Sequence, residues 1–287
     1  MKIKAFEHIP GYFVQDSPDA DPSAVGPLPP RFGLLDSSPS RWSTLKSKID
    51  KLNRSPTTRA EGASYKIFFL GRHGEGWHNV AEAKYGTKAW DEYWSKLDGD
   101  GEIVWGPDPD LTRLGRDQAL DAHKAWRREL EEADIPAPEK LYSSPLTRAM
   151  HTNVITFDGA FDQTNLSKTM VLENCREEYG EHTCDLRRSR SYISSAFPQF
   201  TIEEGFSEID ELWKADERET KEHAEFRARI VCERVWDDGE EVFISITAHG
   251  GFINAFLRAT GHPPFQPATG AVVPLVVKGR RGGILMN

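Results

Sequence analysis

Three stretches, far apart in the chain, end in the same kind of turn. FFLGRHGEGWHN (68–79) carries Arg72 and His73, LYSSPLTRAMHT (141–152) carries Arg148, and ITAHGGFINAF (246–256) carries His249. Each reads as a strand, a tight turn with Gly or Pro, then a helix. If the strands are parallel, all three turns leave one edge of the sheet and the four side chains can converge on one cleft. Such a set suits a phosphoryl group. In transfer that group is trigonal, with negative charge over three oxygens and the reacting atoms in line. Two guanidiniums can direct hydrogen bonds to those oxygens. One neutral imidazole can attack phosphorus while the other donates a proton to an oxygen. Helix N-termini add partial positive charge, and Gly74 and Gly76 let backbone approach a phosphate closely. Arg148 falls in a helix's first turn, where a cation opposes the dipole; a bound anion would explain it.

The elements that must position these residues can be read from apolar patterning. Ile67-Phe68-Phe69-Leu70 is a continuous apolar run, as in a strand covered on both faces. Lys140–Ser143 and Val242–Ala248 read as further strands, and Ala271–Val277 as a fourth, which Pro274 assigns to an edge or a bulge. Ala119, Ala122, Trp126, Leu130 and Ala133 fall on one helical face behind a Thr112 cap. Ser144-Pro145 reads as a cap and first-turn proline. Ala224, Ala228, Val231 and Val235 form another stripe, and Phe252–Ala259 a short helix closed by Gly261. Alternating strands and helices imply an α/β fold, three layers with a mainly parallel central sheet. Residues 1–64 are rich in Pro, Ser, Asp and Gly, which leaves little regular structure beyond a helix from Arg41 to Asn53. They read as an arm docked on a main domain of 65–287. Residues 157–213 carry charge and turns with little periodicity, and read as an insertion over the carboxyl edge of the sheet.

Composition narrows the function. With 36 Lys and Arg against 45 Asp and Glu, the net charge is −9. That makes nucleic acid a poor partner, since its phosphates need basic residues. A small phosphorylated molecule fits better, because the field in a cleft is set by nearby charges. Three cysteines, Cys175, Cys184 and Cys232, argue against a disulfide framework and suit a reducing compartment. With no leader-like start and no run near the roughly 20 apolar residues of a membrane helix, we expect a cytoplasmic or nuclear protein with no membrane partner.

Arg72-His73-Gly74-Glu75 resembles the RHGE signature of the histidine phosphatase superfamily, the phosphoglycerate-mutase-like proteins, and its first branch more than the acid-phosphatase branch. YGTKAWDEYWSKLDGDG, DPDLTRLGRDQA, YSSPLTRAMHT, CREEYGEHTCDLRRS and TAHGGF extend the likeness in order from about Tyr65 to Phe256, and resemble fungal and plant phosphomutase-like members. Gly71 departs from the bulkier apolar residue often found before the Arg-His pair.

The resemblance implies a phosphoglycerate-mutase-like fold and a set of roles. His73 becomes the phosphohistidine nucleophile, Arg72, Arg148 and Asn79 bind phosphoryl oxygens, and His249 completes the pocket. The proton donor falls at Glu177, with Glu173 and Glu178 as neighbouring alternatives. The implied reaction is metal-free hydrolysis of a small phosphate ester with no cofactor. A phosphomutase, or a binding protein that keeps the fold, are the other readings. Glu75 is expected to orient a site arginine or to be a plain solvated acid. His78 either reaches the pocket or caps a helix. Arg187 and Arg188, near Arg190, either meet a second anionic group of the substrate or stay solvated. His182, Cys184 and Asp185, with Cys175 and His78, lack the paired short spacings of structural zinc, so no metal is expected. Trp90, Tyr93 and Trp94 read as the buried face of one helix.

Overall fold

A run with no polar face must be covered on both sides. Ile67–Leu70 lies in β2 (Ala63–Arg72), inside a seven-stranded sheet, in a computed structural model that describes residues 3–161 and 168–281. The other strands are β1 (Ile3–His8), β3 (Lys140–Ser143), β4 (Met170–Val171), β5 (Thr201–Ile202), β6 (Phe243–Ala248) and β7 (Val272–Arg281). Their order is β1-β7-β2-β6-β3-β4-β5. From β2 to β5 neighbours run parallel, while β7 is antiparallel to both β2 and β1.

Ten α-helices accompany them among the described residues. In the first part of the chain these are α1 (Pro22–Val25), α2 (Arg41–Arg54), α3 (Pro56–Ala60), α4 (Trp77–Tyr85) and α5 (Thr87–Glu92). There follow α6 (Arg113–Ala133), α7 (Thr147–Phe157), α8 (Arg190–Ala196), α9 (Lys221–Asp237) and α10 (Gly250–Thr260).

Successive side chains of a strand point to opposite faces, and β2 divides its run accordingly. Phe68 and Leu70 join Ile244 and Ile246 against α9 and α10, through Ala228, Val231, Phe252 and Phe256. Ile67 and Phe69 join Phe243 against α2 and α6, through Trp42, Ile49 and Trp126. The result is the expected three-layer α/β/α arrangement with most strands parallel. All four apolar side chains of the run are fully buried, each stabilising by about 1.5–3 kcal/mol.

Several expectations need correction. The first 64 residues supply more than one helix. Ile3–His8 pairs with β7 as an edge strand, and Phe13, Phe32, Leu34 and Trp42 share the core of Phe69 and Trp126. The 157–213 stretch, of which 162–167 lie outside the described residues, is partly sheet: β4 and β5 extend it beyond β3. Two-residue strands have no periodicity to read.

Pro274 lies in an inner strand, opposite Phe69 of β2. Val272 N–H donates to Pro27 O, and Val276 O accepts from Ile9 N, so by the two-residue period Pro274 nitrogen faces that same side. There β1 has already ended, opposite Val277, and the missing N–H costs no ladder bond. Ser144-Pro145 precedes α7 rather than capping it. Asp108, from a distant loop, accepts from both Thr147 N and Thr147 Oγ1 at the helix start (2.8 and 2.7 Å).

Candidate active site

The register brings the three turns together. Arg72 pairs with Ala248, and Ser143 with Thr247, so β2, β3 and β6 end level. His73 N then donates to Ala248 O, and the rings of His73 and His249 lie 4.9 Å apart between centroids. Beyond them opens a cleft of about 410 Å³ lined by Arg72, His73, His78, Asn79, Arg148 and Glu177 among others.

His73 is buried, and its Nδ1 donates to Gly74 O (2.7 Å). A carbonyl only accepts, so the proton sits on Nδ1 and Nε2 keeps its lone pair. Burial, with Arg148 and Arg72 nearby, holds this histidine well below its usual pKa, so the ring is neutral. His78, buried on α4, also lines the cleft and is depressed by burial and Arg148. His249 is fully buried beside His73, with Nε2 against Ser144 Oγ (2.7 Å).

Both arginines are anchored at one end and free at another atom. Arg72 Nη1 donates to Pro267 O (2.8 Å). Arg148 donates from Nη1 to Cys184 O (2.7 Å) and from Nη2 to Asp185 Oδ1 (2.8 Å). Their Nε atoms, together with His78 Nδ1 and His249 Nδ1, are buried and lack a partner among the described residues. A buried unpaired polar group costs about 1–3 kcal/mol, and an anion's oxygens would relieve it. Asn79 lines the cleft while its Oδ1 accepts from Gly76 N (3.0 Å).

Of the three candidate acids, Glu177 and Glu178 reach the cleft and Glu173 does not. Glu173 is paired with Arg176 and Arg187, and Glu178 with Lys221. Glu177 accepts from Gly251 N (3.0 Å) and Phe252 N (3.1 Å) at the start of α10, and from Glu178 N (3.0 Å). These amides favour the carboxylate, yet burial, with Asp185 and Glu178 beside it, raises its pKa.

Five expected site residues lie elsewhere or act otherwise. Glu75 accepts from Thr112 Oγ1 (2.7 Å) at the start of α6 and orients no arginine. Arg187 is buried, but it bonds Glu173, Ser207 and Ile209 and faces away from the cleft. Arg188 is exposed and stacks on Tyr192. Gly74 and Gly76 leave room for protein rather than ligand: a Cβ would strike Gly115 backbone at the first and the His78 ring at the second. Trp90, Tyr93 and Trp94 do not share a helix face, since α5 ends at Glu92. Trp90 is buried at the cleft, Trp94 stacks on Tyr85 and Tyr93 is exposed.

Sequence reasoning missed Asp185, Arg218, Lys221 and Arg258, all on the cleft wall. Asp185 accepts from Arg148 and, through Oδ2, from Arg218 (2.9 Å). His182, Cys184 and Asp185 do bring ligand atoms within 4.8 Å of one another. Both Asp185 oxygens are taken by arginines, however, and burial holds Cys184 as a thiol, so the group serves to orient Arg148.

The model of the histidine phosphatase superfamily, branch 1, matches residues 68–272. The chain belongs to this superfamily. A probable phosphoglycerate mutase of Arthroderma benhamiae is 40% identical over 96% of this chain and 84% of its own length. Phosphomutase-like protein 3 of Candida albicans is 34% identical over 93% and 78%. A solved mycobacterial glucosyl-3-phosphoglycerate phosphatase aligns with TM-score 0.43 at 20% identity, over 74% of this chain and 90% of that one. Superfamily members are phosphatases or mutases, which supports enzyme activity for this chain.

Proposed function

We propose that this protein hydrolyses a small phosphate ester through a phosphohistidine on His73. The observation that carries the reading is the cluster of buried, unpartnered nitrogens on Arg72, Arg148, His78 and His249 around a neutral His73. The Arg72 and Arg148 Nε–H groups hold the phosphoryl oxygens. With the Ser144 hydroxyl donating to His249 Nε2, His249 Nδ1–H is a further donor. His73 Nε2 forms a bond to phosphorus as the ester P–O bond breaks, and protonated Glu177 gives its proton to the leaving oxygen. Water then attacks phosphorus, the P–N bond breaks, and the Glu177 carboxylate takes the water's proton. The arginines and histidines supply the positive charge at the transition state.

A second reading, phosphoryl return to another hydroxyl, draws on the Arthroderma benhamiae relative's name and on Arg218, Lys221 and Arg258 in the cleft wall. Those cations suit a substrate with a second anionic group. The experiment is turnover of aryl phosphate and of 3-phosphoglycerate with no added divalent cation, with mass spectrometry of the quenched enzyme. Hydrolysis supports release of inorganic phosphate, with a phosphate adduct at His73 that disappears in His73→Ala. Isomerisation without phosphate release selects the mutase. Full turnover in His73→Ala sinks both.

A further inference from the structure

Away from the cleft, three buried side chains from three separate stretches meet. His8 ends β1, Asp16 closes the short 3-10 turn Val14–Asp16, and His262 follows Gly261, the left-handed cap of α10. Their ligand atoms all lie within 4.8 Å of one another. Asp16 Oδ1 is 3.0 Å from His8 Nε2 and 3.7 Å from His262 Nε2. The three side chains are at most 4% exposed.

The outer bonds fix how these groups face one another. Asp16 Oδ2 accepts from Tyr12 N and Phe13 N (both 2.9 Å), which turns Oδ1 toward the imidazoles. His262 Nδ1 lies 2.6 Å from Pro263 O. A carbonyl only accepts, so Nδ1 carries a proton and Nε2 is the atom turned toward the carboxylate oxygen. That Nε2 is buried without a hydrogen-bond partner within 3.5 Å among the described residues. Asp16 Oδ1 thus faces two imidazole nitrogens in a dry pocket, and a cation held between the three, a metal ion in place of the protons, satisfies all of them at once. Metal-ligating histidines characteristically donate their other N–H to a carbonyl or carboxylate, and ligating carboxylates are themselves hydrogen-bonded. His262 and Asp16 have these features here. Zinc bonds of about 2.0–2.2 Å at a tetrahedral angle put ligand atoms about 3.3–3.5 Å apart; the two separations from Asp16, 3.0 and 3.7 Å, bracket that value, and the two imidazole nitrogens lie within 4.8 Å of each other.

We propose that His8, Asp16 and His262 bind a divalent transition-metal ion of the zinc type, which staples the N-terminal stretch to the loop behind α10. Two imidazoles and a carboxylate suit zinc among such ions, with water as the fourth ligand. The His182, Cys184 and Asp185 group lacks the same fit because arginines occupy its carboxylate. The site does not depend on the reaction proposed for the cleft.

The test is zinc titration of metal-stripped full-length protein by calorimetry, with X-ray absorption on the zinc-loaded wild type. The expected result is one zinc per chain in a shell of nitrogen and oxygen only, with two imidazoles. A hundredfold excess over Kd then raises the unfolding midpoint by about 5 °C. His262→Gln and Asp16→Asn weaken binding at least tenfold, while His73→Ala binds as wild type. No binding by folded wild type overturns the proposal, and so does a sulfur ligand in the absorption spectrum. Unchanged affinity in both variants, or loss of zinc in His73→Ala, would place the metal elsewhere and overturn it equally. The absorption spectrum needs no variant, so a substitution that prevents folding leaves the test intact.

Discussion

The carboxylate of Glu177 rests on the Gly251 amide, 3.0 Å from Oε2, and a Cβ on Gly251 would overlap Oε1. The acid's position therefore depends on a residue with no side chain. Gly251→Ala should push the carboxylate off the start of α10 and lower kcat about 100-fold, the low end of general acid–base contributions. KM should change little, since the arginines stay in place. Steady-state kinetics check the split. A variant with wild-type kcat, or one that raises KM alone, would remove Glu177 from the proton-donor role.

The pH dependence follows from two opposite shifts. His73 attacks only as the neutral ring, and burial beside Arg148 and Arg72 keeps its pKa well below 6.5. Activity therefore fails on this account only in acid, as pH falls through that lowered value. Glu177 must be protonated in the first step, and burial near Asp185 raises its pKa above 4.5. Activity is then lost as pH rises through the raised value. An acidic optimum in kcat/KM for an alkyl phosphate is expected, and Glu177→Gln should flatten its alkaline limb. An unchanged alkaline limb in that variant would count against the assignment.

Much of this site could be read from local sequence. An apolar strand followed by Arg-His-Gly makes a strand-turn-helix visible, and β-register then fixed where Arg72, His73 and His249 meet. Cations on the far wall had no such signal. Lys221 opens α9 and Arg258 sits on α10 with exposed side chains, so each looks like an ordinary solvated residue. Arg187 shows the reverse. Its place in an arginine-rich stretch suggested a ligand, but Glu173, 14 residues away, and Ser207, 20 away, claim it. Partners at such separations are set by tertiary packing. The edge strands β4 and β5 escaped because two residues carry no alternation, and β1 because its six residues precede a Pro-rich stretch.

Asp185 holds two arginines at once, Arg148 through Oδ1 and Arg218 through Oδ2. Burial works against its charge, but the two guanidiniums keep the carboxyl below the usual range. Asp185→Asn leaves the buried Arg148 without its counter-ion. The expected loss is about 3 kcal/mol in urea unfolding, in line with breaking a buried pair, together with a raised KM. Added phosphate should recover part of the stability by supplying another anion. A loss under about 1 kcal/mol with wild-type KM would show that Arg148 is held by other contacts.

The N-terminal stretch shares the core of Phe69 and Trp126, and Trp42 gives the sharpest test. Its ring is fully buried and lies 5.9 Å from that of Phe69 in β2. Its Nε1 donates to Glu129 Oε2 (2.7 Å), an oxygen also held by Arg41 (2.8 Å). Removing the ring opens a cavity against the sheet and leaves Glu129 with Arg41 alone on that side. Trp42→Ala should cost about 3–5 kcal/mol and lower the unfolding midpoint in a single transition. Deleting residues 1–54 should go further, uncovering Phe69 and Trp126, and yield a chain that does not fold. A truncated protein that unfolds cooperatively at the wild-type midpoint would instead make the stretch a detachable arm, with a main domain whose core is complete without Trp42.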